Sequence, residues 1–270
     1  MSTAAVPASR TRLSGPAWLI DNVLTVTGRN LHRLVRVPTL IVFATVQPVL
    51  FVLLFTYTFG GAIQPPGVQR YVDYLLPGIY VLAIGFGASQ TGVAIADDLA
   101  NGMIDRFRAL PMTRSAVLAG RTVADAIRNL FVLGLMTGIG YAVGFRFHAG
   151  PAAACAAIGL AIAVGVVLSW VNALIGLLVR DPESAGLIGL LPVILLTFTS
   201  STFVPVATMP GWLQAFAKIN PITVTVDAMR ALCLGGLTAS HLWQAIAWIG
   251  GLLVLTIPAA VASYRQATTT

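Results

Sequence analysis

Six long intervals without Asp, Glu, Lys or Arg constrain the fold of this chain more than any other feature. They cover residues 37–69, 74–96, 129–145, 147–179, 184–217 and 231–264. A helix needs about 20 mostly apolar residues to cross a bilayer, and in lipid its backbone groups must be hydrogen-bonded internally. The sequence therefore predicts an all-α integral membrane protein with six transmembrane helices, at about 39–62, 75–96, 118–145, 152–179, 186–204 and 241–263.

The basic residues predict the orientation of these helices. Only 9% of the residues are charged, which excludes an ordinary soluble protein, and the net charge of +7 then favours a lipid bilayer over nucleic acid as the partner. With the N-terminus inside, twelve arginines lie on the cytoplasmic side. The four basic residues outside are Arg70, Arg146, Lys218 and Arg230. Because cytoplasmic loops carry the excess of Lys and Arg, both termini are predicted to be cytoplasmic.

The segment at residues 17–36 has two unlike helical faces. Arg29, Arg33 and Arg36 share one face, and leucines form the other. A helix of this kind lies in the membrane interface with its arginines toward lipid headgroups, and an aromatic residue such as Trp18 anchors it. We predict an N-terminal interfacial amphipathic helix. The alternative is a solvated linker whose charges only set the topology.

The third predicted helix contains an intramembrane charge cluster. Arg121, Asp125 and Arg128 are spaced at i, i+4 and i+7, which places them on one helical face. Ionisable side chains within membrane helices pair with one another and face the protein interior or water. We therefore expect these three residues to pair and to point away from lipid.

Residues 205–236 are too interrupted to form a simple span. Pro210 suits the first turn of one short helix, and Asn220 followed by proline suits the cap and first position of a second. The glycines at 235 and 236 would end that second helix. Asp227 and Arg230 lie on it at i, i+3 and can pair. The pattern predicts two short half-helices on the outer side of the membrane.

The chain lacks the motifs by which a transporter would obtain energy for itself. A phosphate-binding loop needs a glycine-rich turn followed by Lys and Ser or Thr, and the single lysine, Lys218, has no such loop. A proton relay needs acids inside the spans, and Asp125 is the one acid within a predicted span. The energy source is therefore expected in a partner.

Metal chemistry and covalent catalysis have little support in the sequence. His32, His148 and His241 are isolated, and no two are spaced as metal ligands. Cys155 and Cys233 lie in apolar contexts and are predicted to be buried small hydrophobic residues. We expect no catalytic residue, no metal and no cofactor bound by this chain.

The charged segment between the second and third predicted helices is a candidate contact for a soluble partner. Met103, Phe107 and Leu110 recur at i, i+4 and i+7, and the helix they indicate ends near Pro111. The charged residues on its remaining faces are Asp105, Arg106 and Arg108. Such an apolar stripe can bind in a groove while its charges fix the register. The alternative is an ordinary cytoplasmic loop.

The ordered set of motifs resembles ABC-2 type transporter permeases, and within them the daunorubicin-resistance-type drug exporters. The resemblance begins at residues 102–112, where Asp105 replaces the Glu of many members, a change that fits the daunorubicin-like branch. It extends over nearly the whole chain. The other similar pieces are residues 180–185, 203–205 and 209–213, together with Asn220-Pro221, Asp227 and Arg230.

The resemblance implies a single ABC-2 type transmembrane domain over residues 1–270. Residues 98–112 would be the cytoplasmic coupling helix in a cleft of an ABC-type ATPase, which binds ATP and Mg, and residues 17–36 the interfacial helix. Residues 205–236 would form the external gate, with Pro210, Trp212, Asn220, Pro221, Asp227 and Arg230. The permease would pair with a second copy or a homologous permease, with the pathway lined by spans one, two and five.

The resulting functional prediction is outward transport of an amphipathic or hydrophobic compound, such as a drug, antibiotic or lipid, across the bacterial cytoplasmic membrane. The mechanism would be alternating access driven by the partner ATPase. Export of a polysaccharide or lipid-linked glycan is the alternative within the family. A partner-independent secondary carrier and a membrane-embedded enzyme are the alternatives from other classes.

Overall fold

The computed structural model describes residues 28, 38–101, 114–236 and 239–267, and the side chains of 28, 46–101, 120–236 and 240–264. Within these ranges the chain forms eight α-helices, a short 3-10 helix at Val206–Thr208 and no strands. The helices are α1 (Pro38–Phe59), α2 (Tyr71–Ala100), α3 (Arg114–Val143), α4 (Pro151–Val179), α5 (Pro182–Phe198), α6 (Gly211–Ile219), α7 (Pro221–Leu234) and α8 (Ala239–Ala267).

Four of these helices contain segments that are long and apolar enough to cross a membrane. The segments are Tyr71–Ala100, Gly120–Val143, Pro151–Val179 and Ser240–Tyr264. Two shorter apolar segments, Val46–Phe59 and Pro182–Phe198, belong to α1 and α5. In the residues described the chain is therefore all-helical, as expected of a multi-pass membrane protein, and each of the six predicted spans overlaps one of these helices with different bounds.

Helix α2 lies at the centre of the bundle and is the most buried of the four long apolar segments. It packs mainly against α4 and α5. A methyl group added at Gly176 of α4 would overlap the carbonyl oxygen of Gly92, and one added at Gly85 would overlap Val193 of α5. Small residues at helix contacts allow membrane helices to approach closely. This close packing fixes α2 against both neighbours.

Helices α2 and α5 depart furthest from the predicted bounds. Helix α2 covers 71–100 instead of 75–96, so that Asp73, Asp97 and Asp98 are helical. Helix α5 ends at Phe198, not at 204, and residues 199–203 form turns. The hydroxyl of Ser200 donates to the Thr197 carbonyl at 2.6 Å, and the Ser201 N–H, which would bond that carbonyl in a continuing helix, donates to Thr223 instead.

The two short helices before α8 begin and end close to the predicted positions. Pro210 precedes α6 as its N-cap residue and does not lie in the first turn. Asn220 caps α7, and its side-chain oxygen accepts a hydrogen bond from the Ile222 N–H at 2.8 Å. Gly235, with φ of 89°, ends α7. The residue types at 220 and 235 account for the start and the end of α7.

Several predicted features fall outside the described residues. These are the interfacial segment with Trp18, Arg29, Arg33 and Arg36, and the coupling residues Met103, Asp105, Arg106, Phe107, Arg108, Leu110 and Pro111. Residues 98–100 of the predicted coupling helix belong to the last turn of α2.

The prediction that both cysteines are buried is wrong for Cys155, which is exposed, whereas Cys233 is buried. Cys155 lies in the first turns of α4, where every residue from 151 to 156 is exposed or half-buried. Lipid tails are as apolar as a protein core, so an apolar sequence context does not distinguish a lipid-facing position from a buried one.

Candidate functional site

The first group of polar residues, here named the α2–α3 charge cluster, consists of Thr91, Asp98, Arg121, Asp125 and Arg128. The Arg128 guanidinium lies 3.2 Å from Oδ1 of Asp125, and the Thr91 hydroxyl donates to Oδ2 of the same carboxylate at 2.5 Å. Nη1 of Arg121 lies 3.1 Å from Oδ2 of Asp98. The cluster therefore joins side chains of α2 to side chains of α3.

The pairing within this cluster differs from the sequence prediction. Asp125 pairs with Arg128, but Arg121 pairs with Asp98 of α2 and not with Asp125. The reason is that antiparallel packing of α2 on α3 brings Asp98 opposite Arg121. Asp125 is 8% exposed, and a carboxylate at that depth needs partners for both oxygens. Thr91 supplies the second partner, which spacing within α3 could not reveal.

The second group, named the Arg230 cluster, consists of Tyr74, Ser201, Asp227 and Arg230. Nη1 of Arg230 donates to Oδ1 of Asp227 at 2.6 Å, and the Ser201 hydroxyl donates to the same oxygen at 2.7 Å. Nη2 donates to the carbonyl oxygens of Tyr74 at 3.1 Å and Ser201 at 3.0 Å. Nε also donates to the Tyr74 carbonyl, at 3.2 Å.

Tyr74 contributes its ring and hydroxyl to the cluster as well as its carbonyl. The guanidinium carbon of Arg230 lies 3.6 Å from the centroid of the Tyr74 ring, which is a cation–π contact. The Tyr74 hydroxyl donates to the Ser201 carbonyl at 2.7 Å. One guanidinium thus links the start of α2, the turn after α5, and α7. A planar fork with five donors can do this, whereas an ammonium group cannot match the geometry.

Of the remaining residues predicted for the external gate, Asn220 and Pro221 fix the start of α7. The Asn220 side-chain nitrogen donates to the Leu196 carbonyl at 2.8 Å, which ties α7 to the end of α5. Pro221 occupies the first turn of α7. Trp212 on α6 is 75% exposed and is not a member of the Arg230 cluster.

Residues missed by the sequence prediction are Thr91, Asp98, Tyr74 and Ser201. Asp98 and Thr91 lie on α2, and they reach their partners on α3 only because the two helices pack together. No spacing within one helix indicates these contacts. Besides its hydroxyl contact with Asp227, Ser201 donates its backbone N–H to the Thr223 hydroxyl of α7 at 3.3 Å. Among the described residues, no three His, Cys, Asp or Glu side chains are grouped in a way that could hold a metal ion.

Comparison with known protein families decides what kind of membrane protein this helical bundle forms. The family model described as ABC-2 type transporter matches residues 21–234, which include both clusters. The chain belongs to the ABC-2 type transporter family. Permeases of this family are membrane subunits that work with an ABC-type ATPase.

Curated relatives of the permease carry names that refer to drug resistance. It is 30% identical over 250 residues to the daunorubicin resistance ABC transporter permease of Streptomyces coeruleorubidus, covering 93% of this chain and 88% of the relative. It is 29% identical over 258 residues to a protein of Mycobacterium tuberculosis named "probable doxorubicin resistance ABC transporter permease", covering 93% and 90%. These matches confirm the resemblance to drug-resistance permeases.

Proposed function

We propose that this permease forms the membrane pathway of an exporter for amphipathic or hydrophobic compounds, such as drugs, antibiotics or lipids. The observation that carries the proposal is the similarity over nearly the whole chain to permeases named for daunorubicin and doxorubicin resistance. The sequence has no phosphate-binding loop, so ATP hydrolysis is assigned to a separate ABC-type ATPase that binds ATP and Mg.

The proposed topology has six spans formed by α1 to α5 and α8, with both termini in the cytoplasm of a bacterial cell. It is supported by the excess of arginines on one side of the six apolar helices. In this orientation residues 102–113 lie in the cytoplasm. The start of α2, helix α7 and the Arg230 cluster lie at the outer side of the membrane.

The proposed contact with the ATPase is the segment at 98–112. Its support is the apolar stripe of Met103, Phe107 and Leu110 next to charged residues. The proposed assembly contains two permeases and two ATPase subunits, with the second permease being either the same chain or a homologue. The substrate pathway would lie between the two permeases.

The proposed mechanism is alternating access. Closure of the ATPase dimer on nucleotide displaces residues around Phe107 and tilts α2 and α3, which opens the pathway outward. The Arg230 cluster closes the outer end when its contacts are made, because it ties α2, α5 and α7 together. A partner can drive this change only by binding the two states with different affinity.

The experiment is ATP-dependent uptake of daunorubicin into inverted membrane vesicles that contain the permease and a cognate ABC-type ATPase. We expect uptake with both subunits, and loss of uptake for Phe107→Ala and for Arg106→Glu with unchanged membrane insertion. Phe131→Ala serves as the matched control, because Phe131 is an exposed aromatic residue on α3 outside both clusters.

The result also separates the alternatives. Normal export by the Phe107→Ala variant would contradict the assignment of residues 98–112. Uptake by the purified permease in liposomes without ATP would identify a secondary carrier. Uptake of a lipid-linked glycan in place of daunorubicin would identify a glycan exporter, and chemical conversion of the substrate would identify an enzyme.

A further inference from the structure

Three polar contacts join α2 and α3 along their length, and a fourth joins the residues that flank the opposite ends of the two helices. From one end to the other they are Asp98 with Arg121 at 3.1 Å, Thr91 with Asp125 at 2.5 Å, Tyr80 with Thr137 at 2.7 Å, and Arg70 with the Gly144 carbonyl at 2.9 Å. Partner numbers rise along α3 as they fall along α2, as expected for an antiparallel pair. The first three contacts are therefore cross-links between the same two helices, and the fourth holds the start of α2 to the end of α3.

The two cross-links that involve an acidic side chain lie in the half of α2 nearer to residues 102–113. Asp98 is in the last turn of α2, and Arg121 is about two turns into α3. The Thr91–Asp125 contact lies about two turns deeper along α2, and Arg128 neutralises the same carboxylate. These contacts hold together the two helix ends through which the chain enters and leaves the segment at 102–113.

The opposite end of α2 is attached to the Arg230 cluster. The Tyr71 hydroxyl donates to the Phe203 carbonyl at 2.9 Å, and the Tyr74 hydroxyl donates to the Ser201 carbonyl at 2.7 Å. Arg230 donates to the Tyr74 carbonyl as well. Helix α2 is therefore one continuous element with the α2–α3 charge cluster at one end and the Arg230 cluster at the other.

We infer that Thr91, Asp98, Arg121 and Asp125 are positioning residues that hold α2 and α3 as one rigid unit, through which residues 102–113 move the Arg230 cluster. This inference rests on the proposed function. Without the cross-links, a force at 102–113 would spread the two helices instead of moving them together. Coupling between distant sites needs an element of this kind, which moves as a whole between two arrangements.

Electrostatics supports a positioning role over a role in topology alone. The Asp98 and Arg121 side chains are 18% and 15% exposed, so each would lose hydration without a partner to replace it. A charge that only set the topology would need no partner on another helix. Because the contact depends on opposite charge and not on which helix carries which sign, exchanging the two residues should preserve it.

The test is a charge exchange between Asp98 and Arg121 in vesicles that contain the permease and its ATPase. Asp98→Arg and Arg121→Asp are each expected to lower ATP-dependent daunorubicin uptake on the order of tenfold. ATP hydrolysis by the bound ATPase should stay within about threefold of wild type, so that transport per ATP falls. The double variant, Asp98→Arg with Arg121→Asp, should recover uptake to within about threefold of wild type.

Two further variants keep the test decisive. Asp98→Asn preserves the shape of the side chain and is expected to lower uptake about threefold even if Asp98→Arg does not accumulate in the membrane. Glu183→Gln is the control, because Glu183 is an exposed acid in the first turn of α5 and lies outside both clusters. It should transport as wild type.

The outcomes separate the two proposals. Normal uptake by both single reversals, or no recovery in the double variant of an otherwise active transporter, would overturn the positioning role alone. Equal loss of uptake and ATP hydrolysis in all variants would also overturn it, because that pattern indicates general misfolding. A wild-type complex without ATP-dependent uptake would overturn the proposed function and this inference together.

Discussion

The α2–α3 charge cluster and the Arg230 cluster are built around the same local pair but use it differently. Each contains an Asp and an Arg at i, i+3, at 3.2 Å in Asp125–Arg128 and at 2.6 Å in Asp227–Arg230. The further partner of Asp125 is a side chain of the neighbouring helix, Thr91. Around Arg230 the further partners are backbone carbonyls of two other segments.

This difference indicates the chemical property on which each cluster depends. A contact between two charged side chains requires only that they carry opposite charges and lie at a suitable distance. The two residues can therefore be exchanged. Backbone carbonyls cannot be exchanged, and they require a donor whose geometry matches fixed acceptors. We therefore expect the first cluster to be sensitive to charge and the second to be sensitive to the shape of the cation.

The largest effect is expected from Arg230. Arg230→Ala removes all five contacts of the guanidinium and leaves Asp227 with the Ser201 hydroxyl only, so the free energy of unfolding should fall by about 3 kcal/mol. Arg230→Lys keeps the charge but loses the planar set of guanidinium donors. It should therefore transport little more than Arg230→Ala. Thermal unfolding in detergent and daunorubicin uptake measure the two effects. Uptake by Arg230→Lys within twofold of wild type would contradict the dependence on shape.

A smaller loss is expected at Asp125. Asp125→Ala leaves the Arg128 guanidinium without its ion pair at a largely buried position, and should lower the free energy of unfolding by about 2 kcal/mol. Asp125→Asn, combined with Arg128→Gln, removes both charges at once and should lose less than Asp125→Ala alone. Thermal unfolding of the three proteins is the measurement. If the double variant were less stable than the single variant, the unpaired charge of Arg128 would not be the main cause of the lost stability.

The hydroxyl of Tyr74 offers a finer comparison with that of Thr91. Tyr74→Phe removes one neutral hydrogen bond but keeps the ring beneath the guanidinium, and should lower the free energy of unfolding by about 1 kcal/mol. Thr91→Val removes a bond to an ionised carboxylate and should lower it by about 2 kcal/mol, because charge-assisted bonds are stronger. The reverse order in thermal unfolding would contradict the assignment of partners.

Asp181 provides a baseline outside both clusters, where the smallest effect is expected. The side chain and backbone N–H of Ser184 hydrogen-bond the Asp181 carboxylate and hold its pKa below the usual value. A lowered pKa in the folded state gives stability above the unfolded pKa of about 3.9, and this stability is lost as the pH falls through the folded pKa. Asp181→Asn should therefore differ slightly from wild type at neutral pH and converge with it under acid conditions, as measured by thermal unfolding.

Most helices could be predicted from the sequence because a chain segment inside lipid can satisfy its backbone hydrogen bonds in few ways. Uncharged intervals must be helical there, and Asn220 followed by proline marks the start of α7 through chemistry confined to neighbouring residues. The Asp227–Arg230 spacing likewise predicted a contact within one helix. Local patterns of this kind depend on nothing outside a few turns of chain.

The contacts that define the two clusters could not be predicted in the same way. Asp98 finds Arg121, and Arg230 finds the Tyr74 carbonyl, only after helices have packed. A backbone carbonyl also carries no sequence signal, since every residue has one. The early end of α5 has a local origin instead, because the Ser200 hydroxyl donates to the Thr197 carbonyl, which a continuing helix would use internally.

The shortness of α5 has a consequence for the surrounding lipid. Its 17 residues span about 25 Å, against about 30 Å of hydrocarbon in an average bilayer. In the proposed six-span topology, acyl chains beside α5 would have to compress by several ångströms, or neighbouring protein would have to fill the gap. Because Ser201 lies three residues after the end of α5, membrane thickness would then act on the Arg230 cluster, and lipids of different chain length would tune the outward opening.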